Sequence, residues 1–264
     1  ILIGLVGSEM CIRDRTFPGT YALMARRYFH EFDANHDDLV HVSVKNHFHG
    51  SMNSLAHIQK EVSFEKAAGG FMVADPLTLY DCCPTSDGAS CVVLASDRIA
   101  RNLTDTPVWV QGSGAASDNL ALHDRPSITQ LKATQAASQR AYAMADVSAS
   151  HIDLAEVHDC FTIAEVLATE DLGFAKRGEG GLFARNQEGR LNQGTTTVNA
   201  SGGLKSKGHP LGATGAGQVV EVFKQLRGEA EVGRQVRDAE TALTHNVGGS
   251  GATCAVHVFG RNRP

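Results

Sequence analysis

A glycine-punctuated stretch, Asn199-Ala-Ser-Gly-Gly-Leu-Lys-Ser-Lys-Gly-His-Pro-Leu-Gly-Ala-Thr-Gly215, narrows the folds open to this chain more than any other segment. Glycine lets the backbone turn sharply and proline fixes its exit angle, so His209 is presented from a tight turn. Gly212, Ala213, Gly215, Ala216 and Gly217 then open a helix of very small residues that can pack closely on its neighbours. That helix is predicted over 211–227, where Val219, Val222, Phe223 and Leu226 form one apolar stripe. An imidazole exchanges protons near neutrality. Ahead of a helix N-terminus the dipole disfavours the imidazolium, so His209 is expected to be neutral and able to act as the base for a thiol. An isolated Gly-His-Pro is as readily a turn that packs locally; the long glycine-rich context favours function.

Two further segments carry chemistry. His158-Asp-Cys-Phe161 lies between a strand predicted over 153–157 and a helix predicted over 162–172. Loops at strand C-termini are where α/β proteins usually place their chemistry. Cys160, near a helix start, is expected to have a lowered pKa and to act as an acid/base, against the alternative of inert core. Thr162 and Glu165 fit a capping box. His245-Asn-Val-Gly-Gly-Ser-Gly251 precedes a strand over 252–259, in which Cys254, Val256 and Val258 alternate with Thr253, Ala255, His257 and Phe259. Its consecutive glycines expose N–H groups that can bind a developing oxyanion, although an ordinary tight turn reads the same way.

Elsewhere the pattern predicts helices over 18–32, 39–46 and 127–146, and a strand over 108–112. Residues 46–74 read as irregular, 177–192 as a polar loop, and 118–125 as a polar linker dividing two halves. His47-Phe-His49 has metal-like spacing without a partner pattern, so a solvated loop is expected there and no metal site. Gly112-Ser-Gly114 and 212–217 lack the context of a dinucleotide site. Cys82, Cys83 and Cys91, around Asp87-Gly88, read as packing residues. Strands interspersed with helices give an α/β class.

The first fifteen residues stand apart. Leu5-Val-Gly-Ser-Glu-Met-Cys-Ile-Arg-Asp-Arg15 resembles a translated transposase sequencing adapter, so residues 1–15, Cys11 included, are expected to be artefactual. The natural protein is then expected to begin upstream of Thr16. With a net charge of −5 and no Lys/Arg run, a nucleic-acid binder is not expected. No apolar stretch approaches the ~20 residues that span a bilayer, so no membrane role is expected. Five remaining cysteines without paired spacing suggest reduced thiols in the cytoplasm.

Together the three segments, with Asp81-Cys-Cys-Pro-Thr-Ser-Asp-Gly88, resemble the thiolase superfamily, nearest to its sterol-carrier-protein-type and archaeal-type acetyl-CoA C-acetyltransferases. The resemblance runs from Thr16 to Phe259. It implies the thiolase fold: two similar α/β halves layered αβαβα, here with the first half incomplete. Residues 16–80 would be the remainder of a loop domain, 81–117 the last strands of the first half, and 118–264 the second half. It implies acyl exchange on coenzyme A thioesters with no further cofactor. His209 would activate a nucleophilic cysteine lying upstream of this chain and help bind the thioester oxygen. His158 would position that oxyanion and Cys160 would be the acid/base. Gly248 would supply a backbone donor, where many members carry a Cys-x-Gly and this chain has Asn246-Val247-Gly248. Asn199, Gly202, Gly203, His245 and Asn246 would line the substrate. Acyl-CoA and coenzyme A, further copies of the chain, and a small partner protein are the implied partners. The fragment alone would be inactive. A thiolase-like carbon–carbon lyase, a non-catalytic acyl-CoA-binding scaffold, and a fragment that does not fold stably are the alternatives.

Overall fold

The computed structural model describes residues 16–263; the adapter-like residues, Cys11 and Pro264 lie outside the described residues. Its centre is a mixed five-stranded sheet in the order β3-β7-β6-β4-β5: β3 Trp109–Ser117, β4 Leu154–Glu156, β5 Thr197–Val198, β6 Thr241–Gly248 and β7 Thr253–Gly260. β3, β7 and β6 are antiparallel neighbours, whereas β6, β4 and β5 run parallel. Both faces are covered, and the period-two pattern decides which residue goes where. Ala155, Val157, Leu243, Cys254, Val256 and Val258 face helices α5 (Lys132–Ala145) and α6 (Thr162–Asp171). Leu154, Ala242 and Phe259 face helix α9 (Thr214–Arg227).

A helical region packs on this unit. α1 (Phe17–Glu31) and α2 (His36–Ser51) share a core with α6 and with the short α7 (Gly180–Arg185) and α8 (Gly203–Ser206). Thr16 caps α1, and Asn35 with Asp38 forms a capping box at α2. α3 (Phe64–Ala68), the hairpin β1 (Met72–Ala74) with β2 (Leu77–Thr78), and α4 (Asp97–Leu103) complete the elements.

Several expectations are corrected. The second helix runs on to Ser51, so His47 and His49 are buried helical residues and not a solvated loop. The polar loop over 177–192 contains α7, whose Gly180 and Gly181 are buried. The strand expected to end at Gly112 continues to Ser117 and pairs with β7 throughout. The division at 118 therefore leaves a strand of this sheet on its far side. The Gly112-Ser-Gly114 run looks poor for a strand, but a Cβ on Gly114 would lie 2.0 Å from the Ala137 carbonyl oxygen. Close packing of α5 thus selects glycine over β-formers. Phe223 is exposed, under the Arg227 guanidinium, while Val222 and Leu226 carry the apolar stripe. Cys82 and Cys83 pack against the helical core as expected, but Cys91 is exposed. The segment after it is exposed too, with Val93 at 84% and Leu94 at 79%.

Candidate active site

β4, β5 and β6 run parallel, so their C-terminal ends share one edge of the sheet. The His158-Asp159-Cys160-Phe161 turn leaves β4, the Asn199–Gly202 turn leaves β5, and Gly248 ends β6. This topology brings together segments far apart in sequence, at the edge where open α/β sheets carry their sites.

His209 sits between α8 and α9. Its Nδ1 is 2.7 Å from the Thr214 hydroxyl, which donates its one hydrogen to the Pro210 carbonyl at 3.0 Å. Nδ1–H must therefore donate to Thr214, which leaves the lone pair on Nε2. The His158 ring stands edge-on to His209, with centroids 4.9 Å apart and planes at 87°. His158 is buried and its Nδ1 has no hydrogen-bond partner. The His209 imidazole is pushed down to about 4, first by burial and then by the Lys207 charge. His158 is pushed well below its ordinary value, by burial first, with His209 contributing. Both rings are neutral near pH 7, as expected for His209, and burial is the larger cause. The Lys207 ammonium is itself buried without a hydrogen-bond partner. Lys207→Met is expected to raise the His209 titration midpoint, because a cation that disfavours the imidazolium is removed; ring-proton NMR would read it, and an unchanged midpoint would contradict the coupling.

Cys160 is buried, with its thiol in hydrogen-bonding reach of the Tyr21 hydroxyl. Tyr21 stacks on Phe161 at 4.6 Å. Burial pushes the thiol well above its ordinary range, which overturns the expected lowering at the helix start. The expected capping box is absent as well. Phe161 is the N-cap, the Thr162 hydroxyl donates to Asp81 at 2.7 Å, and Glu165 points into the interior.

A buried polar cluster, invisible in the pattern, holds these turns. The Lys45 ammonium lies 3.0 Å from Glu165 and donates to the Val198 carbonyl at 2.8 Å. The Asn46 amide donates to both Asp159 and Glu165 at 2.8 Å. Asp159 also accepts the Leu204 N–H at 2.6 Å, tying the His158 turn to α8. Burial, then the neighbouring Glu165 charge, raises Asp159 to about 6. Lys205 reaches the Cys82 carbonyl at 2.7 Å.

Four of the residues expected to line the substrate make close internal contacts. Asn199, at φ 58°, accepts the Val157 N–H through its side-chain oxygen at 2.9 Å and donates to Glu165 at 2.7 Å. Its polar side chain is hydrogen-bonded within the protein at both ends. Gly202 and Gly203 have φ of 98° and 60°, and a Cβ on Gly203 would lie 2.3 Å from Asp159. Left-handed backbone and close packing require glycine there. His245 is buried, bonded to Thr134 at 3.0 Å and to the His158 N–H at 3.4 Å, so it braces the His158 backbone. Asn246 contacts Gln218 at 3.2 Å and lies beside Gly215 at the start of α9. Gly248 is exposed at the end of β6, on an open groove of about 430 Å³ shared with Asn246 and Thr253.

The segment after β2 closes the arrangement. Cys82 bridges Phe161 and Thr85 bridges His209, so it runs across both chemical turns. Beyond it a cavity of about 520 Å³ is lined by Asn53, Ser86, Ser90, Lys207, Pro210 and Thr214, among others. Among the described residues, no group of three or more His, Cys, Asp or Glu is placed to hold a metal ion, and no helix is long and apolar enough to cross a membrane.

Residues 114–261 match a family model described as thiolase C-terminal domain-like. An acetyl-CoA acetyltransferase of Methanothermobacter thermautotrophicus is 51% identical over 246 residues, covering 93% of this chain and 64% of its own length. Sterol carrier protein 2 of Bos taurus is 35% identical over 240 residues, covering 89% and 44%. A solved Ltp2-ChsH2(DUF35) aldolase superposes with a TM-score of 0.82 at 26% identity, covering 93% of this chain and 63% of that one. The chain thus spans about two thirds or less of the length of these proteins.

Proposed function

This chain belongs to the thiolase family, and on that premise we propose that it forms the base and acid/base side of an acyltransferase acting on coenzyme A thioesters, by Claisen condensation or by thiolysis of 3-ketoacyl-CoA. The perpendicular pair of neutral rings, His158 and His209, carries the reading. With its lone pair on Nε2, His209 takes a proton from a thiol, and the adjacent rings offer donors to the charge that builds on the thioester oxygen. Cys160, kept protonated by burial, is suited to return a proton to a leaving enolate during thiolysis and, in the reverse direction, to accept one. Gly248 N–H would add a further donor.

The attacking cysteine is assigned to none of the cysteines described. Cys82, Cys83 and Cys254 are each pushed up to about 11 by burial, and Cys160 higher. A nucleophile needs the opposite shift, and the exposed Cys91 belongs to neither turn that carries His158 or His209. Residues 1–264 alone are therefore proposed to be inactive; a protein extended to the archaeal relatives' length is proposed to act in the cytoplasm as a homo-oligomer, with a small partner protein. A carbon–carbon lyase is the second reading, favoured by the likeness to a solved aldolase complex. Free coenzyme A separates the two. The extended protein should consume acetoacetyl-CoA only when coenzyme A is supplied; cleavage without it would move the assignment to a lyase. Robust thiolysis by residues 1–264, abolished by Cys160→Ala, would overturn the proposed inactivity.

A further inference from the structure

We propose that Cys83 and Cys160 are an oxidatively cross-linkable pair, a covalent modification site built into the segment that crosses the His158 turn. The antiparallel bridge between Cys82 and Phe161 fixes the register. One residue further along, Cys83 stands opposite Cys160 and donates its N–H to the Cys160 carbonyl at 3.0 Å. Opposed residues of an antiparallel pair point to the same face, with Cα atoms roughly 4.5–5.5 Å apart. A disulfide spans Cα separations of about 4.4–6.8 Å, a range that includes opposed residues of this kind. The Cys83 thiol also acts electrostatically on Cys160, and both act on Tyr21.

The other described cysteines are poorly placed. Cys82, adjacent in sequence, donates to the Thr78 carbonyl at 3.4 Å. Cys254 is bonded to Thr134, on α5. Cys91 is exposed in a separate stretch. Cys83 is partly exposed and Cys160 buried, so an oxidant meets Cys83 first.

A peroxide is the oxidant required. The Cys83 thiolate attacks one peroxide oxygen, the O–O bond breaks, and hydroxide leaves with the thiol proton as water. Cys160 then attacks the Cys83 sulfenic sulfur; the S–S bond forms, the S–O bond breaks, and a second water leaves. Two thiols and one hydrogen peroxide give one disulfide and two waters. Since burial disfavours both thiolates, the reaction is slow and quickens with pH. Its consequence for activity rests on the function proposed above: the disulfide removes the Cys160 proton donor.

The test is peptide mapping of the 264-residue protein after hydrogen peroxide at about pH 8.5, near the free-thiol pKa, with alkylation and non-reducing digestion. The expected product joins the Cys83 and Cys160 peptides, two hydrogens lighter than the separate peptides, and disappears on reduction. Cys82→Ser should retain it and Cys83→Ser should abolish it. A Cys82–Cys83 product, links through Cys91, or Cys160 alkylated throughout would overturn the pairing. If Cys83→Ser does not fold, the unaltered protein oxidised with and without urea decides: a cross-link formed only in the folded state supports the pairing, and equal yields oppose it. In the extended protein, thiolysis lost on oxidation and restored on reduction supports the consequence. Full activity in the cross-linked protein would remove Cys160 from the mechanism and leave the disulfide standing.

Discussion

His209→Ala in a protein of the archaeal relatives' length is expected to lower kcat for thiolysis by about 10²–10⁴-fold, the range for losing a positioned acid/base. KM should change little, because the ring acts on a proton and on charge present only as the reaction proceeds. The effect should persist across neutral pH, since the wild-type ring is pushed down to about 4 and stays neutral there. Protonation below that value removes the base, so any acidic limb owed to His209 lies well under pH 6. Thr214→Val should show a smaller loss, by releasing the tautomer that keeps Nε2 free of its proton. A His209→Ala variant with wild-type kcat would remove this residue from the chemistry, whatever the family likeness.

Lys45→Met is expected to cost about 3–5 kcal/mol of folding stability, the usual penalty for removing one partner of a buried ion pair. Glu165 keeps the Asn46 and Asn199 amides and Asp159 the Asn46 amide and the Leu204 N–H, but no cation is left in contact with Glu165. Urea denaturation of the 264-residue chain reads this directly. Lys45→Met combined with Glu165→Gln should recover part of the loss, because the uncompensated charge goes too. A change within about 0.5 kcal/mol would show that the pair is solvated and not part of the interior.

Much of the site was legible because local chemistry demanded it. The His209 turn needed Gly208 and Pro210 around it whatever lay opposite, and its place before a helix followed from the small residues after it. The alternation of Cys254, Val256 and Val258 read correctly because one side of β7 meets α5 at every second residue. The contacts of Asn199 and His245 were not legible, for a related reason. These residues stand in glycine-rich, function-like surroundings, yet their side chains are bonded to Val157, Glu165 and Thr134, partners whose proximity no local pattern encodes.

The sequence by itself determined the turn that presents His209, the helix that follows it, and the family whose fold the chain belongs to. The tertiary structure decided the rest. It made Cys160 a reluctant acid instead of a reactive thiolate, because desolvation outweighs a helix start. It placed His47, His49 and Lys45 inside, where pattern puts charged and polar residues outside. It drew β3 into the sheet across the expected boundary. Each of these depends on a partner far away along the chain, and burial is a property of that partner as much as of the residue itself.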